Sequence, residues 1–328
     1  MATITVGFIG AGGNARGHME ELRQLEGVRI AAICDVVEEI AQSAANVYGG
    51  KVYTDYRRML DKESPTVVYI SIPPYARGGP ELEVARRGIH LFVEKPVALS
   101  LEKGLEICEA VEKAGIITCV GYQLRYCETT DRARAFLSNR TIAMVVVNRW
   151  GGMVTTPWWR IMTRSGGQIV EQTTHQVDLI RYLAGDIVEV HAYYALRTLY
   201  DIEGCDIPDV SIVSLRFASG AIGSISSSCA LTKGGGRGDL AVIVRDRILY
   251  WTHRNLELSP PGDFEELRGI SGATSSIDET FTSAIRRNDR SGIRSSYRDA
   301  LKTLDVTLAA NRSATAGKPI QPYFAEHK

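Results

Sequence analysis

Short apolar runs alternate with amphipathic stretches through the first third of the chain. Ile4–Gly10, Arg29–Asp35, Val67–Ile72, His90–Val93 and Ile116–Val120 read as strands, rich in Val and Ile and short enough to be buried on both faces. Between them, Val37–Val47 and Leu101–Ala114 carry apolar residues at helical spacing, the second opened by Ser100 as N-cap. Strands separated by helices predict βαβ units and a parallel sheet covered on both faces, in an α/β domain ending near Gln123.

The remainder has another texture. Ile142–Trp150, Val188–Leu196, Val210–Phe217, Ile222–Cys229 and Leu240–Val244 follow one another with short turns such as Ala218-Ser219-Gly220. Val213, Leu215 and Phe217 alternate with Ser214 and Arg216, the period of a half-buried strand. This predicts an α+β domain on a large, mainly antiparallel open sheet. One helical segment, Ile169–Leu183, interrupts it, and two more close the chain around Ile277–Arg287 and Tyr297–Ala310, the last stopping before Gly317-Lys318-Pro319. Gly234–Gly238 reads as a loop. The expected division is 1–123 and 124–328, with the closing helices able to pack back on the first domain.

Composition narrows the function classes. The chain has 328 residues, enough for two cores, with 45% hydrophobic and 23% charged residues. Basic and acidic residues balance at 38 each, without the basic excess a nucleic-acid partner calls for. No stretch of about 18 apolar residues suggests a membrane span, and Met1-Ala2-Thr3 runs into the first strand without a basic n-region, so a cytoplasmic location is the expectation. Six scattered cysteines without a C-x-x-C pair fit a reducing compartment, and no metal is expected on them.

Three constellations carry chemistry. Gly10-Ala11-Gly12-Gly13-Asn14-Ala15 follows the first strand and fits G-x-G-x-x-G/A. Gly10 permits the tight turn, Gly12 lets backbone approach a pyrophosphate, and Ala15 allows close helix packing. Asp35 ends the second strand about 20 residues on, where a carboxylate takes ribose hydroxyls and repels a 2′-phosphate. NAD is therefore expected over NADP. Glu94-Lys95-Pro96 closes the strand His90–Val93; a lysine there points to the ligand crevice and can stabilise an alkoxide, or else is a surface lysine before a strand-ending proline. On a continuous helix Glu171, His175 and Asp178 share one face. That face serves a general acid/base tuned by carboxylates, a structural histidine, or a divalent metal site, although H-E-x-x-H spacing is absent.

In this order the motifs resemble the Gfo/Idh/MocA oxidoreductases. Glu94-Lys95-Pro96 is similar to the family's E-K-P, and Gly166–Asp178 to its G-G-x-x-x-D-x-x-x-H-x-x-D. The resemblance implies Lys95 and His175 as catalytic residues, with Glu171 in the place of a catalytic aspartate. Trp159-Arg160 resembles a W-R pair that reaches the cofactor. Ser71-Ile72-Pro73-Pro74 resembles a loop running along the dinucleotide, and Gly121-Tyr122-Gln123-Leu124-Arg125-Tyr126 a segment linking the domains. Cofactor contacts are thus implied for Gly10, Gly12, Gly13, Asn14, Ala15, Asp35, Ser71, Ile72, Pro73, Glu94, Lys95, Gln123, Trp159 and Arg160. The chain departs from the family at Glu171, at Thr173 and Thr174 where small residues are common, at Arg77 in place of a histidine, and at Pro74 in place of an asparagine.

The implied activity is NAD-dependent hydride transfer from a secondary hydroxyl of a sugar, sugar derivative or cyclitol. His175 would take the proton while Lys95 steadies the negative charge, and Glu171 would orient or tune His175. Trp150, Trp158, Trp159 and Tyr126 offer an aromatic platform or core packing. A redox-neutral NAD-dependent glycosidase, a non-catalytic NAD-binding regulator and a metal-dependent enzyme are the rivals. Family likeness also implies a homodimer or homotetramer, with no nucleic-acid or membrane partner.

Overall fold

A computed structural model describes residues 3–260 and 276–326; the expectation resting on Met1-Ala2 lies outside the described residues. The chain divides into two compact units, Met1–Gln123 with Ser275–Leu301, and Leu124–Thr274 with Lys302–Lys328.

In the first unit β1 (Ile4–Ile9), β2 (Val28–Cys34), β3 (Lys51–Tyr53), β4 (Val67–Ile70), β5 (His90–Val93) and β6 (Thr118–Val120) alternate with α1 (Gly13–Leu22), α2 (Glu38–Tyr48), α3 (Tyr56–Glu63), α4 (Gly79–Arg86) and α5 (Leu101–Lys113). All pairs are parallel, in the order β3-β2-β1-β4-β5-β6, the doubly wound dinucleotide-fold order. Strand order reverses between β1 and β4, so a crevice opens past their carboxyl ends, where such sheets bind ligands. The strands are near-continuously apolar because both faces are covered; Val6, Phe8, Val67, Val68 and Ile70 have no exposed surface. Ser100 caps α5 by accepting the Lys103 N–H, and Gly104, Ile107, Cys108 and Val111 form its buried stripe. The helix Ile277–Arg287 belongs to this unit and lies beside α1, with Phe281 against the rings of Tyr69 and Phe92. The short edge strand β3 was not expected, because three residues are too few to show a period.

The second unit is built on β7 (Met144–Trp150), β8 (Ile187–Ala195), β9 (Val210–Phe217), β10 (Ile222–Ser228), β11 (Arg237–Ile243), β12 (Ile248–Trp251) and β13 (Leu256–Ser259). Its order is β13-β12-β11-β7-β10-β9-β8, antiparallel except where β7 runs parallel to β10. Val145, Val147, Val213, Leu215, Ile225, Leu240 and Val242 form its buried face. The opposite face leaves Tyr193, Ile212, Ile222 and Tyr250 exposed. Arg237 and Gly238, expected in a loop, pair with Trp150 and Arg149 and start β11. The helix α6 (Glu128–Leu137), β12 and β13 were also not expected.

After the single turn α7 (Met162–Ser165), the expected continuous helix Ile169–Leu183 is two helices, α8 (Gly167–Glu171) and α9 (Thr174–Ala184). Thr173 N–H bonds Gln168 O, five residues back, at 2.9 Å. That wide turn inserts one residue into the helical count and rotates the residues beyond it by about 100°. Thr173 is drawn off the helix surface, its hydroxyl 2.7 Å from that of Ser227 on β10.

Gly10 turns the chain out of β1 at φ +94°, and an added Cβ would lie 2.2 Å from Ser71 O. Gly10→Ala should therefore destabilise the protein by about 3 kcal/mol, read as a lower urea midpoint with unchanged slope.

Candidate functional site

The glycine turn forms its cradle because α1 starts without a side-chain cap. Gly12 is its N-cap, and neither Gly12 nor Gly13 has an atom within 4 Å of where a Cβ would stand. First-turn N–H groups are thus left facing open space, an arrangement that suits an anion. Asn14 is exposed, whereas Ala15 is fully buried, the small residue that lets α1 pack on the sheet. Asp35 stands at the end of β2 and accepts the Ala11 N–H at 2.9 Å and the Val37 N–H at 3.0 Å. The carboxylate is thereby held against the glycine turn. These residues fit a dinucleotide: an uncapped helix start for the phosphates, a fixed carboxylate for a ribose.

Ser71, Ile72 and Pro73 follow β4 and are half-buried, with Ser71 N–H bonded to Ile9 O at 2.8 Å. Arg77 reaches back over this loop. Its Nε and Nη2 donate to Ile72 O at 3.2 and 3.0 Å, and its Nη1 donates to Glu94 O. One guanidinium so ties the ends of β4 and β5 together.

At the end of β5, Glu94 and Lys95 are buried, with 4% and 8% exposure, and the Lys95–Pro96 peptide is cis. Glu94 Oε1 lies 3.0 Å from His18 Nε2, and His18 Nδ1 lies 2.7 Å from Asp278 Oδ2. Both partners are carboxylates, so both ring nitrogens donate and the ring is an imidazolium. Burial alone would lower the His18 pKa, but the bonds to Asp278 and Glu94 override it and carry it up to about 10. Burial would likewise raise Glu94, yet the His18 hydrogen bond and charge, with Lys95 and Arg77, hold its carboxyl below the usual range. Gly121 is required beside it, since a Cβ there would stand 2.9 Å from Glu94 Oε2. Gln123 is half-buried at the end of this unit's first segment.

In the second unit, the wide turn at Thr173 interrupts the continuous helix on which Glu171, His175 and Asp178 were expected to share a face. Glu171 is buried at the end of α8, where Oε2 accepts the Trp159 indole N–H at 2.6 Å and the Gln172 amide at 2.5 Å. His175 is half-buried in the first turn of α9. Asp178 is fully buried and bidentate to Arg125, at 2.6 Å on both oxygens, and also accepts the Thr303 hydroxyl. It is thus a structural counter-charge, because removing one partner of such a pair strands the other. Trp159 is wholly buried with Leu199, Ile207 and Cys229, while Arg160 is half-buried and its carbonyl takes the Asp206 N–H. Arg149 on β7 donates to Gln172 Oε1 at 3.3 Å, and burial pulls its pKa down. Trp150 is exposed on the sheet's outer face, whereas Tyr126 is buried. His18, Asp278 and Arg149 were not singled out from sequence; only His18, four residues beyond Asn14, sits near a motif.

A family model described as an oxidoreductase family with an NAD-binding Rossmann fold matches residues 4–122, and one of the GFO/IDH/MocA C-terminal domain matches 140–245. Myo-inositol 2-dehydrogenase of Thermotoga maritima is 28% identical over 231 residues, 69% of this chain and 68% of that protein. Levoglucosan dehydrogenase of Pseudarthrobacter phenanthrenivorans is 25% identical over 265 residues, 70% of this chain and 68% of its own. Among solved structures, the WlbA dehydrogenase of Bordetella pertussis in complex with NADH and UDP-GlcNAcA has a TM-score of 0.86 at 22% identity, over 97% of this chain and 98% of that one. At that identity the likeness is one of fold.

The buried imidazolium makes stability depend on pH. Histidine titrates at 6.5 when unperturbed and at about 10 in this fold, so between those values the folded chain keeps a proton that the unfolded chain has released. The stability due to His18 is whole below the lower value and is lost as pH rises through the upper one. Urea midpoints should fall from about pH 7 to about pH 9.5 more steeply in the wild type than in His18→Gln.

Proposed function

This chain belongs to the Gfo/Idh/MocA oxidoreductases, and on that premise we propose that it oxidises a secondary hydroxyl of a sugar, sugar derivative or cyclitol with NAD. The observation that carries the reading is Lys95, a lysine kept almost out of solvent at the carboxyl end of β5, the side on which parallel sheets bind cofactors. The relatives named for inositol and levoglucosan oxidation support the substrate class.

When bound, NAD supplies the hydride acceptor. Gly10, Gly12, Gly13, Asn14 and Ala15 shape the pyrophosphate cradle, Asp35 takes the adenosine ribose, and Ser71, Ile72, Pro73, Glu94, Gln123 and Arg160 complete the contacts, whereas Trp159, wholly buried, has no surface for the cofactor and instead holds Glu171. Lys95 donates a hydrogen bond to the reacting oxygen and stabilises its negative charge. His175 removes the hydroxyl proton as general base. Glu171, one methylene longer than an aspartate and fixed by Trp159 and Gln172, bonds a neighbouring hydroxyl or tunes His175. Residues 1–123 serve the cofactor, supported by the helix Ile277–Arg287, and the rest of 124–328 serves the substrate and self-association. The exposed Tyr193, Ile212, Ile222 and Tyr250 support a homodimer or homotetramer. Among the described residues no helix is long and apolar enough to cross a membrane, and the proposed location is cytoplasmic.

The test is NADH formation by the purified protein with NAD across sugars, sugar acids, cyclitols and glycosides. Turnover of one group supports the reading, and glycoside cleavage without NADH accumulation replaces it with a redox-neutral glycosidase. Tight NAD binding without any turnover makes the protein a regulator. Lys95→Ala should lose about a thousandfold in kcat with NAD affinity within about threefold; unchanged turnover removes Lys95 from the chemistry. Asp35→Ala should bind NAD about tenfold more weakly and narrow the preference over NADP, as shown by titration with both cofactors.

A further inference from the structure

His18 lies on α1, Glu94 at the end of β5 and Asp278 at the start of the helix Ile277–Arg287, so three separate elements of the first unit meet at one imidazole ring. None of the three is accounted for by packing alone. His18 is 6% exposed, Glu94 4% and Asp278 1%, and a charge is kept in such surroundings only where others oppose it.

We propose that His18 is a positioning residue for Lys95: pinned by Asp278, its ring holds the Glu94 carboxylate in place and ionised, and Glu94 in turn fixes the lysine that follows it. The inference rests on the reading of Lys95 as the group that meets the reacting oxygen.

The geometry supports it from both sides of Glu94. The main chain at Glu94 is tied by its N–H to Ile70 O at 3.0 Å and by its carbonyl to Arg77. The carboxylate is held by His18 and has the Lys95 charge beside it. With carbonyl and carboxylate both fixed, the Cα of Lys95 has little freedom. The ring cannot swing away, because it packs against Tyr69 and Phe92, with centroids 5.6 and 4.7 Å distant. Glu21 on α1 interacts with both Asp278 and His18, as Arg77 does with Glu94. Without the imidazolium, Glu94, Asp278 and Glu21 would confront each other with Lys95 and Arg77 as the remaining cations beside Glu94. The carboxylate would be drawn to Lys95 and compete with substrate for its ammonium. A misplacement of about 1 Å at a reacting group can cost on the order of a hundredfold in rate.

The experiment compares wild type, His18→Gln and Asp278→Asn as NADH complexes by crystallography, and as enzymes on whichever panel compound is oxidised. Gln keeps a donor towards Glu94 without the charge, and Asn keeps an acceptor for the ring, so at least one variant should fold. The expected result is a displaced Glu94 carboxylate and a Lys95 Nζ moved by about 1 Å, with an NADH dissociation constant within about threefold of wild type. Alongside it, kcat should fall at least about tenfold with little change in KM, less in Asp278→Asn than in His18→Gln. A merely structural role would lower the melting temperature and weaken NADH binding while leaving Lys95 where it was. Unmoved Glu94 and Lys95 in a folded His18→Gln protein overturn the inference. An active Lys95→Ala enzyme overturns the reading beneath it, whatever the crystals show.

Discussion

Glu94 has to remain ionised inside the first unit, and much of what surrounds it answers to that need. A carboxylate taken out of water loses several kcal/mol of solvation, which nearby charge and hydrogen bonds have to return. His18 supplies a cation on one side, Arg77 and Lys95 supply charge on another, and Asp278 keeps the imidazole protonated. The absence of a side chain at Gly121 leaves space for the carboxyl group. The second unit meets the same constraint with different residues. There Asp178 is matched by Arg125 through two bonds and by Thr303 through a third, while Arg181 ties Thr303 to Asp186.

Local chemistry was legible in the sequence. The run Ile4–Ile9 followed by Gly10-Ala11-Gly12-Gly13 announces strand, turn and helix, because turn conformation and helix start depend on residues a few positions apart. Asp35 and the Ser100 cap could be read for the same reason. The parallel first sheet and mainly antiparallel second sheet also follow from local periods. Among the elements that escaped were the short helices α3 and α4, the strands β3, β12 and β13, each of three or four residues, and α6, whose polar content hid its buried face of Thr129, Thr130, Ala133, Phe136 and Leu137.

The candidate sites were legible unevenly. The motif residues sit where their motifs put them along the chain, but spacing did not foretell the break between Glu171 and His175. The helix is broken by a hydrogen bond five residues back, next to a Thr173–Ser227 pairing that joins it to a strand 54 positions away. No period within the segment encodes that partner. The His18–Asp278 contact is harder still, joining residues 260 positions apart through side chains that read singly as an ordinary helix residue and an N-terminal acidic one. Pairings of that kind are set by tertiary packing, and a single sequence carries no local trace of them.

The same contact bears on how the protein is made. The first 123 residues emerge from the ribosome with all six strands of the parallel sheet and with His18 and Glu94 both present, but roughly 150 residues before Asp278. At about 5–20 residues per second that interval lasts roughly 8–30 s. During it the nascent sheet has neither the second carboxylate for its imidazole nor the Phe281 ring that covers Tyr69 and Phe92. The charge arrangement around the lysine is therefore finished only once Asp278 has emerged, and a chain cut short before the helix Ile277–Arg287 would carry every cofactor motif without it.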